Sequence, residues 1–426
     1  MAERILITGS GGREHALGWK LQSFDRELFF TPGNAETCQL ENAKNMGVQP
    51  TEVEKIADLA KDEHIDYVIV GPEEPLGLGI IDTLTSCNIP SFGPTSVAAR
   101  LETSKAWAID FMLGQHIPHP TTHTFQEIDE ATLHVTNRGW KHVVIKVDGL
   151  AAGKGSVVPS SEKEAQDALI RMLVKKEFGK AGETVLVQER LTGEELSALA
   201  FSDGQTVVPL LVAQDYKRLK DNDEGPNTGG MGSFATNPPL VSKELLQKIH
   251  TTILQPTVDG MREAGTPFKG VLYAGLMLTK GGPKVLEYNV RFGDPETQPL
   301  MMLFSRNLLF ALQACSQGTL HKDHVGFRRG SAVCVVLASE GYPENPKKGA
   351  IIRGLEKVDD PNIQVFHAGT IFKRGKYKVN GGRVLGITAF GATLQDAAKK
   401  AYSVIGKHAI HFKGMQYRTD IGIKYR

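Results

Sequence analysis

The amino-acid sequence predicts a multidomain chain, α/β at its N-terminus and α+β beyond it, and three observations carry that expectation. A length of 426 residues at 41% hydrophobic content exceeds what one core accommodates and allows roughly three domains. Strand-like and helix-like patterns alternate through segment 1–103, which implies a parallel sheet with helices on both faces and ligands at the carboxyl ends of its strands. After that segment the strands and helices fall into blocks, without internal repeat or low-complexity tract.

In order, RILITG is a short apolar strand, GREHALGWKLQSF a helix opening on glycines, and ELFFTPGN a strand with a turn. TEVEKIADLAKDEH is an amphipathic helix, and DYVIVGPEEPLG a third strand ending in a loop. The middle of the chain has strands HVVIKV and ETVLVQERL, with a helix over SEKEAQDALIRMLVKKEF between them. QDYKRLKDNDEGPNTGGMGSF lacks a hydrophobic period and reads as a long loop, a length uncommon unless the loop is functional or disordered. A helix near LVSKELLQKIHTTILQPTVDGMREAG precedes the strands YAGLMLTK and PKVLEYNVRF, joined by a Gly-Gly turn. The remainder predicts strands SAVCVVLASEGYP, VFHAGTIFKRGKYKV and VLGITAFG, then a helix from TLQDAAKKAYSVIGKH.

Composition removes several function classes. With 49 Lys+Arg against 48 Asp+Glu, the chain has no long-range attraction to nucleic acid or anionic membrane, so an anionic ligand must be met locally. Cys38, Cys87, Cys315 and Cys334 form no C-x-x-C pair, which suits a reducing cytosol rather than a disulfide framework or zinc ribbon. The N-terminal residues lack the build of a signal peptide, and no run approaches the ~18 apolar residues of a membrane span. HIPHPTTH holds three histidines but also two prolines and no acidic partner. It reads as loop composition rather than a metal site.

Two glycine loops invite a nucleotide. GSGGREH follows a strand and opens a helix, as a dinucleotide fingerprint would, but its third glycine falls at Glu14 and no acid closes the second strand, so NAD is not expected. Its backbone can still meet an anion at a helix N-terminus beside Arg13. KVDGLAAGKGS resembles a P-loop with wrong spacing: Gly149 and Gly153 are one residue too close, and Gly155 replaces the hydroxyl that binds Mg²⁺. Lys146 on a strand and Lys154 on a flexible loop could each neutralise phosphate as point charges. In KVLEYNVRFGDPETQP, Glu287 and Asn289 are two apart on a strand and share a face with Arg291. Their hard oxygens suit Mg²⁺ (or Mn²⁺) held partly by nucleotide phosphates.

Together GSGGREHA, VGPEEPL, SFGP, KVDGLAAGKG, AQDYKR, GPNTGGMG and LEYNVRFGDPETQP resemble the phosphoribosylamine–glycine ligases, or glycinamide ribonucleotide synthetases, of the ATP-grasp superfamily. GPNTGGMG and RFGDPETQP are the most specific, and the resemblance runs from about Arg4 to RTDIGIKYR at the end. It implies an N-terminal pre-ATP-grasp domain (1–103), a two-lobed ATP-grasp domain (104–320, small lobe about 120–190) and a small C-terminal α+β domain (321–426). The implied enzyme is cytoplasmic and a monomer, or one domain of a larger purine-pathway fusion. It joins glycine to 5-phosphoribosylamine with ATP, through a glycyl phosphate, in the second step of purine synthesis.

The resemblance also implies roles. Lys105 and Lys146 contact ATP phosphates, and Gly153, Lys154 and Gly155 form a lid. Gln188, Glu189, Arg190 and Leu191 make the adenine hinge, with Glu195 on the ribose. Glu287 and Asn289 hold the metal. Arg291 steadies the transferring phosphoryl group or the acyl phosphate, Gly293, Asp294 and Glu296 lie near glycine and the ribosylamine with Asp215 and Lys217, and Asp294 and Lys146 join Arg291 as catalytic candidates. Gly12, Arg13, Glu14, Glu73 and Arg383 meet the phosphoribosyl group.

Some positions depart from the family pattern. Gln188 stands where the hinge commonly has Glu, and its amide oxygen can still accept from an adenine amino group. Tyr216 replaces a His, which puts proton transfer there in doubt. Ser156 and Val290 replace the usual Val and Cys, and Gly275 stands where some relatives carry another metal-binding carboxylate, so two protein ligands are expected. The rival readings are a bicarbonate-dependent sister ligase, against which GPNTGGMG and RFGDPETQP argue, and a nucleotide-binding regulatory protein without turnover, against which the intact Lys146, Lys154, Glu287, Asn289 and Arg291 argue.

Overall fold

A computed structural model describes residues 2–151 and 155–425. Five parallel strands form the N-terminal sheet in the order Ala43–Asn45, Arg26–Pro32, Glu3–Gly9, Tyr67–Val70, Ser91–Phe92. Ile5, Leu6 and Ile7 are consecutive and all buried, as the central strand of a doubly covered parallel sheet requires. The stretch after Val70, expected as a loop, turns into the short helix Glu73–Gly77 behind Pro72. That turn brings Glu73 to within 3.0 Å of Arg291.

The second sheet is antiparallel, in the order Thr122–Phe125, Val185–Glu189, Val143–Val147, Ser156–Val157. Ala131 and Val135 of helix Ile128–Arg138 and Ala165, Ala168 and Leu169 of helix Glu162–Leu169 share a core with Val143, Ile145, Val147, Val185 and Val187 of the sheet. The predicted helix over 161–178 stays α only to Leu169 and continues as a π-turn, Ile170–Val174.

The third sheet holds nine strands and is antiparallel throughout. Its path is Gly282–Asn289, Lys269–Thr279, Glu194–Asp203, Ala213–Asp215, Gly232–Asn237, Gly330–Ala338, Arg383–Gly391, Ile363–His367, and Val207–Pro209 pairs beside Glu194–Asp203. Strands from the last hundred or so residues thus continue a sheet begun near Glu194.

Two expectations need correction here. The supposed loop over 214–234 contains sheet strands Ala213–Asp215 and Gly232–Asn237, with a hairpin of Arg218–Lys220 and Glu224–Asn227 between them. Strands of three or four residues are too short to display alternation, and this hairpin carries polar residues on both faces. The single strand expected over VFHAGTIFKRGKYKV breaks into Ile363–His367, Thr370–Lys373 and Lys376–Val379. Arg374 and Gly375 turn the last two with φ of 56° and 70°, the left-handed pair that a tight hairpin needs. Among the described residues no helix is long and apolar enough to cross a membrane.

Candidate active site between the two antiparallel sheets

Lys146 stands on strand Val143–Val147 and is buried. Opposite it, strand Gly282–Asn289 pairs with Lys269–Thr279 through a bulge: Gly275 faces Glu287, but Leu276 already faces Val285. Leu286 is therefore the extra residue, and an extra residue drops out of the ladder. Its carbonyl accepts a 3.0 Å hydrogen bond from Lys146 Nζ. Lys105 opens helix Lys105–Gly114, capped by Ser104, and donates to the Gly149 carbonyl at 2.7 Å. Asp148 accepts from Ala106 N and the Ser104 hydroxyl, so the glycine loop is fastened to that helix start.

Glu287 gathers the cations. Lys217 Nζ lies 3.4 Å from its Oε1 and 3.5 Å from Oε2 of Glu195. Burial alone would raise the Glu287 carboxyl, but Lys217, Lys146 and Lys105 overcome it and hold it at about 2. Lys146 goes the other way: burial, with Lys105 and Lys217 nearby, lowers its ammonium to about 8 despite the pull of Glu287. Burial also opposes the charge on Lys217, yet Glu195 and Glu287 together raise it well above the ordinary lysine value.

The hinge lies at one end of this group. Gln188 is buried and its amide nitrogen donates to Thr122 Oγ1 at 3.1 Å, which turns its amide oxygen the other way. Glu189 crosses to Lys284 of the facing sheet at 3.6 Å, and Leu191 is half-buried. Among the described residues no hydrogen bond or ion pair joins Gln188, Glu189 or Leu191 to the three lysines. Gly153 and Lys154 lie outside the described residues. Gly155 is described, and a Cβ there would come within 2.5 Å of Val147 Cγ2 and 2.6 Å of Ala151 Cβ.

Beyond Glu287, Arg291 is half-buried among acids. Its Nε lies 3.0 Å from Glu73 Oε2 and its Nη2 3.1 Å from Glu102 Oε1, while Nη2 also donates to Asn289 Oδ1 at 3.1 Å. Burial would raise Glu73, but Arg291 and Arg13 hold it at about 2. Burial raises Glu102 to about 7, because Arg291 only partly offsets the burial and Glu73 adds to it. Sequence reasoning missed Glu102: it sits in RLETSK with no motif around it, and only its contacts with Arg291 and the Val290 amide (2.7 Å) reveal it.

Asp294 accepts from Gln298 Nε2 at 2.8 Å and pairs with Arg383 Nη2 at 3.2 Å. Arg383 also donates to the carbonyls of Gly229 and Asp294, so it ties the GPNTGG loop to the GDPE turn. The first glycine loop meets the same turn. A Cβ on Gly11 would lie 3.1 Å from Asp294 Oδ2, and one on Gly12 2.6 Å from Gln298 Nε2. Within that loop Glu14 accepts from Gly11 N and from Arg13 Nε, both at 2.6 Å, and Arg13 reaches the Phe292 carbonyl at 2.9 Å. Gly9, at φ +116°, leaves the space that the Glu14 carboxyl fills. A buried acid there repels the pyrophosphate that a dinucleotide would bring, in line with the missing third glycine.

Asp215 and Glu296 make the third part. Glu296 accepts from the hydroxyls of Tyr273 and Ser197, and Gly293 has no Cβ where one would come 2.4 Å from Glu296 Oε2. Asp215 Oδ1 is buried without a hydrogen-bond partner. Its burial, and then Glu296, raise its carboxyl well above the usual range. Gly230, at φ +107°, passes between Asp215 Oδ1 and Pro295, which a Cβ would meet at 2.7 and 2.4 Å. Tyr216, next in the chain, turns away: its hydroxyl accepts from Gly422 N at 2.8 Å.

The donor set fits a divalent cation only in company. Glu287 stays ionised and Asn289 offers an amide oxygen with a second lone pair beyond its bond to Arg291. Among the described residues no group of three His, Cys, Asp or Glu could hold a metal unaided. Three lysines around one carboxylate call for a polyanion, and its oxygens would complete the metal's shell.

Three family models cover most of the chain: phosphoribosylglycinamide synthetase N domain over 3–102, ATP-grasp (A) domain over 103–297 and C domain over 332–424. The chain is 47% identical over 427 residues to the trifunctional purine biosynthetic protein adenosine-3 of Gallus gallus, covering 100% of this chain but 42% of that protein. It is 44% identical over 429 residues to phosphoribosylamine–glycine ligase of Rhodopirellula baltica, covering 99% and 97%. The crystal structure of phosphoribosylamine–glycine ligase from Thermotoga maritima superposes with a TM-score of 0.83 at 35% identity, over 98% of this chain and 100% of that one. A biotin carboxylase from Campylobacter jejuni shares the fold, with a TM-score of 0.75 at 13% identity over 100% and 95% of the two chains.

Proposed function

The chain belongs to the phosphoribosylglycinamide synthetase family, and from that premise we propose that it ligates glycine to 5-phosphoribosylamine, converting ATP to ADP and phosphate and giving glycinamide ribonucleotide. The observation that carries this reading is the convergence of Lys105, Lys146 and Lys217 on Glu287 at the seam between two antiparallel sheets. A glycine carboxylate oxygen attacks the γ-phosphorus and ADP leaves; the ribosylamine nitrogen then attacks the carbonyl carbon of glycyl phosphate, and phosphate and a proton leave. Such chemistry depends mainly on position and charge, which this site supplies in place of a covalent nucleophile.

Lys105 and Lys146 neutralise the ATP phosphates, the strand end at Gln188–Leu191 receives adenine, and Glu195 reaches the ribose. Glu287 and Asn289 would hold Mg²⁺ (or Mn²⁺) beside the nucleotide phosphates, where the metal would withdraw charge from the transferring group. Arg291, aimed by Glu73 and Glu102, faces the phosphoryl group. Among the described residues neither Asp215 nor Glu296 forms an ion pair, and Asp215 Oδ1 has no hydrogen-bond partner, so an ammonium or amine of the substrates fits between these carboxyls. Arg13, Glu14, Gly12, Glu73 and Arg383 shape the phosphoribosyl wall. In this reading Arg383 and Arg13 work largely through Asp294 and Phe292, since their guanidinium groups already bond there.

The N-terminal, ATP-grasp and C-terminal parts are taken as 1–103, 104–320 and 321–426. We place the activity in the cytoplasm, in a monomer or in one part of a longer fused chain, as the relatives' trifunctional names suggest. The test is ADP release with ATP, Mg²⁺, glycine and freshly made phosphoribosylamine, omitting each in turn. Dependence on glycine is expected. Turnover that ignores glycine or needs bicarbonate would overturn the reading.

A further inference from the structure

Among the described residues, Arg418 is the largest side chain with under 2% of its surface exposed. A buried guanidinium is costly unless every donor is matched, and here the partners are specific. Nε and Nη2 clasp the two oxygens of Asp420 at 2.7 and 2.6 Å. Nη1 donates to Asp223 Oδ1 at 2.7 Å and to the Arg218 carbonyl at 3.2 Å. The guanidinium carbon also lies 4.7 Å from the centre of the Tyr216 ring.

These contacts bracket one residue. Tyr216 and Arg218 flank Lys217, and Arg418 touches the ring of the first and the backbone of the second. Neighbouring bonds reinforce the clamp: Gly422 N donates to Tyr216 Oη, Asn222 N to Asp420, and Thr419 N and Oγ1 to Asp221. The C-terminal segment thus grips the hairpin Arg218–Lys220 and Glu224–Asn227 at its base and its turn.

Lys217 needs such a grip. Its ammonium stands 3.5 Å from Glu195 and 3.4 Å from Glu287, longer than the roughly 2.7–2.9 Å of a seated charge-assisted bond. It hangs between two carboxylates rather than resting on one. A small backbone shift would drop it onto either, and its long stem has the freedom to follow.

We propose that Arg418 is a positioning residue for the ligation reaction: from the C-terminal segment it clamps Tyr216 and Arg218 and so holds the Lys217 ammonium midway between Glu195 and Glu287. The proposal rests on the reading that the cluster of Lys105, Lys146 and Lys217 around Glu287 meets the ATP phosphates, Lys217 from the side of glycine and the ribosylamine. Arg418 itself touches neither phosphate nor amine.

The test is a double-mutant cycle of Arg418→Gln and Lys217→Met, read as kcat/KM for ATP and, in parallel, as Tm. The expected result is a loss of about 10-fold or more in kcat/KM from Arg418→Gln with Lys217 present, shrinking to under about 2-fold in the Lys217→Met background, while the Tm shift is equal in both. Asp223 is mostly exposed, so Asp223→Ala removes one clamp contact in a chain that folds; it should show a smaller loss with the same dependence on Lys217. An equal loss of kcat/KM in both backgrounds, for either variant, would overturn the proposal. Lys217→Met with unaltered kcat/KM would overturn the reading of Lys217 on which it stands.

Discussion

Lys146 Nζ donates to the Leu286 carbonyl at 3.0 Å across 140 residues of sequence, and so joins the two sheets that face each other over the site. The acceptor is available because Leu286 is the extra residue of a bulge. That bulge also turns Glu287 to the same side as Lys146.

Lys146 should give the enzyme an alkaline limit for ATP. Its ammonium is lowered to about 8 by burial, so the free enzyme loses this charge as pH rises through that value. The KM for ATP should rise between about pH 7.5 and 9.5, with kcat changing less because bound phosphates hold the proton on. Lys146→Met should lower kcat/KM for ATP by roughly 10- to 100-fold, matching about 1.5–3 kcal/mol for a charged hydrogen bond. Steady-state kinetics against pH check both.

Glu287→Gln removes the carboxylate that favours the charged form of Lys146. The alkaline inflection in KM should then move to lower pH than in the parent enzyme. The Mg²⁺ concentration needed for half-maximal turnover should rise about 10-fold or more, with the unfolding midpoint little changed. Full activity at limiting Mg²⁺ would remove Glu287 from the metal.

Glu102 predicts the sign of a stability slope. Its folded carboxyl is raised to about 7 from an ordinary value of 4.5, so between those values the folded state binds more protons and this group's contribution to stability falls as pH rises. Glu102→Gln removes that slope. The variant should gain on the parent by roughly 1–3 kcal/mol from pH 4.5 to 7.5, at ~1.4 kcal/mol per pKa unit, in denaturant titrations at a series of pH values.

Gly230→Ala should damage both stability and turnover. A side chain at φ +107° costs about 1–3 kcal/mol of backbone strain, and its Cβ would press on Pro295 and Asp215. A drop of several degrees in Tm and at least 10-fold in kcat is expected. Gly375→Ala, where a Cβ would meet nothing within 4 Å, serves as the control: strain at its φ of 70° lowers Tm but leaves kcat unchanged.

The elements legible in the sequence were those with a long apolar or periodic signal, such as Glu3–Gly9, Val143–Val147 and Val185–Glu189. Glu287 and Asn289 were readable as one face because a strand's alternation is local, and the bulge lies just before them; Arg291, expected on the same strand, lies past its end at Asn289 and meets them through its bond to Asn289. The hairpin Arg218–Lys220 and Glu224–Asn227 was not, since it is held by partners near residue 420. Glu102 and Arg418 escaped for the same reason: a buried charge is recognised by what surrounds it, and their surroundings come from distant segments.

The nine-stranded sheet bears on how this unit can be handled. Strand Gly232–Asn237 pairs with Gly330–Ala338 along six residues, so a cut near residue 320 would leave both fragments with an open apolar edge, the geometry that seeds intermolecular strand pairing. The last quarter of the chain is therefore no detachable module. Any transplantation into, or excision from, a longer polypeptide has to carry segment 3–424 as one piece, with splice points outside it.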